Sequence, residues 1–306
     1  MELGPEIPVL GVDTQLLSIS PIPLVAVLGA ALLYLRACAV LEGRGRTIPG
    51  IQRASYLSGL GLILLATQTF IDPIGERSLL SLHMLQHLLI ADLPAPLLLY
   101  GVRAPLLYFF WPLPVLVRVA RMRRLRSFWA WLRQPQVALT VWLVTLYAWH
   151  VPVMYELALT HRLAHDLEHV SFALTGVLAW WPLLDPTHER VEGRVWKAGY
   201  VFAARMVGGV LGILLIAWPD QLYSPYGDAA RAYGMSIITD QQVAGGMMML
   251  VDITIVIVGV TYFLATMDRG SERTNDLDHP AVRAAIDDAA AAERERHGSG
   301  SATEPG

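Results

Sequence analysis

The sequence predicts an all-α fold, a polytopic transmembrane bundle of about seven spans with the N-terminus outside and the C-terminus inside. Three observations lead there. Residues are 54% hydrophobic and 16% charged, against about 45–50% and about 25% in a soluble globular chain. Apolar runs close to the roughly 20 residues needed to cross a bilayer recur along the chain. Lys and Arg collect in alternate connecting segments, as they do on the cytoplasmic side of membrane proteins.

The spans are read near Pro21–Leu41, Tyr56–Ile71, Leu79–Gly101, Val137–His150, His165–Leu184, Ala198–Trp218 and Gln241–Met267. The second and fourth are short and extend into their flanks. The apolar stretch Ala104–Val119 carries Pro105, Pro112 and Pro114. Proline removes a helix hydrogen bond and clashes with the preceding turn, so this stretch is read as interfacial or re-entrant. As a full span it would flip the side of everything after it. Charge decides between the two. With seven spans, the inner loops 42–54, 102–135 and 185–197 hold 3, 7 and 3 Lys/Arg, whereas the outer segments 1–20, 72–78, 151–164 and 219–240 hold 0, 1, 1 and 1. The cluster Arg118, Arg121, Arg123, Arg124 and Arg126 reads as an anchor on anionic lipid. The organisation is an outer segment 1–20, a membrane domain 21–269 and a cytoplasmic, mostly disordered tail 270–306. No internal repeat suggests an inverted-repeat transporter, and the single cysteine, Cys38, builds neither a disulfide nor a thiolate site.

Six of the nine histidines, His83, His87, His150, His161, His165 and His169, fall at the outer ends of the third, fourth and fifth spans. His83 and His87 are four residues apart, as are His161, His165 and His169. Such spacing puts imidazoles on one helix face, about 5–6 Å apart at Cβ. A lone histidine near an interface is more often a hydrogen-bonding residue than a ligand. Two such pairs with His150 on one side point to metal or haem, and imidazole suits Cu, Zn, Fe and Ni. The candidate metal ligands are therefore His83, His87, His150, His165 and His169, with His161 a weaker sixth. Asp72, Asp166, Glu168, Asp240, Gln241 and Gln242 share the layer, either as partners orienting the imidazoles or as solvated helix ends. Met247, Met248 and Met249 lie a turn or two deeper, as soft ligands for Cu(I) or as packing. Asp92, Arg205 and Asp252 lie deeper still. Charges inside a bilayer pair with one another. Counting helical rise from the inner ends puts Asp92 and Arg205 at a similar depth, about 10–14 Å, and predicts an Asp92–Arg205 ion pair.

Four ordered motifs then carry a resemblance: His83-Met-Leu-Gln-His87 with Pro94-Ala-Pro96-Leu; Trp149-His150-Val-Pro152 with Tyr155; His165-Asp-Leu-Glu-His169 with Gly176 and Trp180-Trp-Pro182; and Asp240-Gln241-Gln242 with Gly245-Gly-Met. Over about residues 20–267 the chain resembles the CtaG family of caa3-type cytochrome c oxidase assembly factors. The resemblance implies a seven-span protein of the bacterial plasma membrane that aids maturation of cytochrome c oxidase, with the oxidase subunits and the lipid bilayer as partners and copper, as Cu(I), as the metal handled. No nucleic-acid partner is expected. Two other readings stay open, a bis-histidine haem-binding electron carrier and a transporter of a metal or small solute. An enzyme is not expected, because no nucleophile–base pair or phosphate loop is present and the histidine pairs lack the glutamate of a zinc-hydrolase HExxH motif.

Overall fold

The computed structural model describes residues 19–102, 106–110, 118, 121–185, 195–226 and 229–265. Among these the fold is helical. In lipid each backbone N–H and C=O must be satisfied within its own segment, which favours helices. The helices are α1 (Pro21–Glu42), α2 (Gly50–Gln68), α3 (Ile71–Arg77), α4 (Leu80–His87), a π-helical turn (Leu88–Asp92), α5 (Pro94–Gly101), α6 (Leu106–Phe109), α7 (Arg123–Leu132), α8 (Pro135–His150), α9 (Pro152–Thr160), α10 (Arg162–Leu184), α11 (Val195–Ala217) and α12 (Ile237–Ala265). Among the described residues, five spans are long and apolar enough to cross a membrane: α1, the run Leu80–Gly101, α10, α11 and α12. The count reaches seven if the bent pairs α2–α3 and α8–α9 are each one span.

The bends and the π turn follow from proline. Pro73 would set its ring against the carbonyl of Thr69, and α2 and α3 part there by 49°. The residue before a proline is pushed out of the helical region. Val151 accordingly lies at ψ 130° ahead of Pro152, and α8 and α9 diverge by 72°. Pro94 has no N–H and would collide with the carbonyl of Ile90. The chain widens ahead of it, and Leu93 N bonds Leu88 O, five residues back, at 3.1 Å.

Glycines allow close crossings. A Cβ on Gly245 of α12 would stand 2.5 Å from the carbonyl oxygen of Gly212 on α11. One on Gly176 of α10 would stand 2.8 Å from the carbonyl oxygen of Ala91 in the π turn. Small residues let membrane helices approach backbone to backbone. The run Leu80–Gly101 is the most buried of the five spans, with α2, α10 and α12 packed around it.

Of the stretch 104–119 the structure describes residues 106–110 and 118. Leu106 is buried in one cluster with Tyr34 and Tyr56. The tail 270–306 and His188, His279 and His297 lie outside the described residues.

Candidate metal centre

Two helices supply the centre. α4 carries His83 and His87 one turn apart. α10 carries His165, Glu168 and His169 at spacings of three and four, which puts all three on one face. The two faces meet in the interior. His83 and Glu168 are fully buried, and His87 and His169 are 6% and 8% exposed. One donor atom from each of His83, His87, Glu168 and His169 lies within 4.8 Å of every other. His83 Nε2 stands 3.7 Å from Glu168 Oε2, and His87 Nε2 stands 3.6 Å from Glu168 Oε1.

Both distances exceed a hydrogen bond, and no other group among the described residues compensates. His83 Nε2, His87 Nε2, His169 Nε2 and both oxygens of Glu168 are buried without a hydrogen-bond partner. Buried polar atoms are nearly always paired, and each one left unpaired costs about 1–3 kcal/mol. Metal bonds of about 2.0–2.2 Å separate two ligand atoms of one ion by about 3.3 Å (tetrahedral) to about 4.3 Å (linear). The 3.6 and 3.7 Å separations fall in that range. The set as a whole lies within 4.8 Å, so it could hold a metal ion by contracting slightly around it.

The other expected ligands stand around this set. The His165 ring lies 4.0 Å from that of His169 and 5.6 Å from that of His83, centre to centre. Its Nδ1 is 3.0 Å from Glu76 Oε1, and its Nε2 is buried and unpartnered. A carboxylate on one ring nitrogen orients the other as a ligand. His150 borders the layer, its ring 6.4 Å from that of His87. Its Nδ1 donates to Leu146 O at 2.7 Å, and its Nε2 faces Met84 Sδ at 3.4 Å. His161 is exposed and sits beside the Thr160 hydroxyl, apart from the cluster. Glu168, read from sequence as a flanking partner, stands among the donors. Its place three residues after His165 on the same face was the available signal. Glu76 and Met84 had no such signal, because bends and interhelical packing bring them in.

Much of the remaining polarity at this end ties the frame together. Asp240 of α12 accepts from Leu80 N at 2.7 Å and Ser81 N at 3.2 Å, capping α4 from another helix where its first N–H groups lack partners. Gln241 donates to Leu215 O and accepts from Leu222 N, holding the end of α11. Gln86 donates to Asp72 Oδ1 at 2.6 Å. Tyr155 stacks on Tyr223 and pairs with Tyr226 at 2.9 Å, closing the cluster from α9. Met248 is buried in an apolar cluster with Leu211 and Leu215.

Deeper in the bundle, Arg205 Nη1 donates to Asp92 Oδ1, as predicted, and also to Asp252 Oδ1 at 3.1 Å. Its guanidinium lies over the Trp142 ring at 4.9 Å. The expected pair is a triad joining α11, the π turn and α12.

Neither a curated protein nor a solved structure matches the chain. The model of the family described as cytochrome c oxidase caa3 assembly factor (Caa3_CtaG) matches residues 32–269. That interval runs from within α1 past the end of α12 and includes every residue of the histidine cluster, so the chain belongs to the caa3 cytochrome c oxidase assembly factor family.

Proposed function

We propose that this membrane assembly factor binds copper at His83, His87, His169 and Glu168, with His165 and His150 adjoining, and aids its insertion into cytochrome c oxidase. One observation carries the reading: one donor atom from each of these four buried side chains lies within 4.8 Å of the others, and among the described residues their facing atoms have no hydrogen-bond partner. Copper heads the affinity series of divalent metals for nitrogen and oxygen sites. Glu168 adds a harder oxygen to the imidazoles, so the set accepts Cu(II) as well as Cu(I). The Lys/Arg asymmetry of the loops supports a cluster that faces the outer side of a bacterial plasma membrane, toward incoming copper. The partners are oxidase subunits in the same bilayer, and the role is non-enzymatic.

Metal analysis of the full chain purified in detergent tests this. Wild type is expected to retain copper after dialysis, and His83→Ala/His87→Ala to lose it. Copper-free wild type, or equal copper in the variant, overturns the reading. A visible haem band in wild type would replace it with the electron-carrier reading.

A further inference from the structure

His150 and Met84 meet in a way that hydrogen bonding does not explain. Leu146 O can only accept, so the 2.7 Å contact at His150 Nδ1 puts the proton of the neutral ring on Nδ1. Nε2 then carries a lone pair. It points at Met84 Sδ, 3.4 Å away, and a thioether has no proton to give. Two acceptors therefore face each other where both residues are buried, Met84 at 1% and His150 at 6% exposure. Metal–nitrogen bonds of about 2.0–2.1 Å and metal–sulfur bonds of about 2.3 Å, at a tetrahedral angle, separate N and S by about 3.5 Å. The observed contact matches. Met84 and His87 also share a face of α4, three residues apart, so the pair adjoins the histidine–carboxylate set.

The difference in donors matters. His83, His87, His169 and Glu168 offer nitrogen and oxygen, which many divalent ions accept. Met84 adds the only kind of sulfur among the donors named here, and thioether sulfur selects Cu(I). Helix geometry holds it in place: Tyr223 donates to His150 O at 3.0 Å, and Pro152 ends α8 just beyond His150.

We propose that Met84 Sδ and His150 Nε2 form a Cu(I)-selective station beside the histidine–carboxylate set. It rests on the copper reading above and makes cuprous ion the form handled at this edge of the cluster. No redox step is involved, since the ion enters and leaves as Cu(I).

The test uses the full chain in detergent, loaded anaerobically with Cu(I) and separately with Zn(II), in wild type, Met84→Leu and His150→Ala. Leu preserves volume and apolar character, a swap that cores tolerate. Copper-edge X-ray absorption of wild type is expected to show a sulfur scatterer at bonding distance that Met84→Leu lacks. Met84→Leu should weaken Cu(I) by about tenfold or more, equivalent to about 1.4 kcal/mol, and leave Zn(II) affinity unchanged. Copper bound by nitrogen and oxygen alone in wild type, or equal weakening of both metals in Met84→Leu, overturns the station and leaves the copper reading standing. Wild type that binds no Cu(I) overturns the station, and wild type that binds copper in neither oxidation state overturns the copper reading as well.

Discussion

Within one apolar bundle, only four residues along the chain separate His87, at the edge of the histidine–carboxylate set, from Asp92 in the triad with Arg205. Both clusters put polar atoms where water is scarce, yet their hydrogen-bond accounts differ. In the triad, Arg205 reaches both carboxylates and lies over Trp142. In the upper cluster, the facing atoms of His83, His87, His169 and Glu168 have no protein partner. Opposite charges that satisfy one another serve architecture. Neutral imidazoles around a carboxylate, with lone pairs directed at one another, are stabilised by a cation they share. Burial alone would not separate the two roles, whereas partner accounting does.

Breaking the triad should give the largest effect. Arg205→Leu strands the buried carboxylate of Asp252 and the half-buried one of Asp92, and removing one partner of a buried pair costs about 3–5 kcal/mol. Thermal unfolding in detergent should show a large drop whether or not copper is present. Stability equal to wild type would mean that the triad is not structural. Changes in the upper cluster should instead register in metal binding. Glu168→Gln keeps the shape and removes the charge, and should weaken copper by about tenfold, or about 1.4 kcal/mol, as read by competition with a chelator. Acid should act in the same direction. Imidazole binds metal only when neutral, so protons compete and copper is expected to dissociate on strong acidification. Copper affinity independent of pH throughout the acid range would argue against histidine ligation. The smallest effect sharpens the contrast most. Metal-free His83→Ala/His87→Ala loses buried atoms that had no partners, so its stability should stay within about 1–3 kcal/mol of metal-free wild type. A collapse comparable to that of Arg205→Leu would assign the histidines to architecture.

Much of this was legible in sequence. The span-length runs and the four-residue histidine spacing come directly from helical periodicity. They locate the spans to within a few residues, except where neighbouring turns extend α2 and α12 toward their N-termini. The Asp92–Arg205 contact followed from depth counting, because charges at equal depth in lipid seek each other. Asp252 was recognised as deep, but depth does not reveal azimuth, so its bond to Arg205 went unanticipated. The same limit applies to Met84. It lies inside the most visible motif, between His83 and His87, yet its contact with His150 depends on how α8 leans on α4. The Met247–Met249 run, the more conspicuous sulfur in sequence, has its buried member, Met248, in the same packed cluster as Met84, Leu211 and Leu215. Asp240 and Gln241 looked like site residues because they share the layer, and they turn out to cap helices that carry or support the site.

The π turn at Leu88–Asp92 can also be seen as one extra residue inserted into a span. One residue is about 100° of α-helical rotation. That surplus reorients everything after His87 relative to everything before it, so one continuous strut presents imidazoles to α10 at one level and Asp92 to Arg205 at the next. Deleting a single residue between 88 and 92 would leave a perfectly acceptable apolar segment, equally able to cross a bilayer. Its two halves would no longer be in phase. For this chain the length of a segment that looks interchangeable is itself a specification, and alignments that treat a one-residue gap there as noise would discard the information that places both clusters.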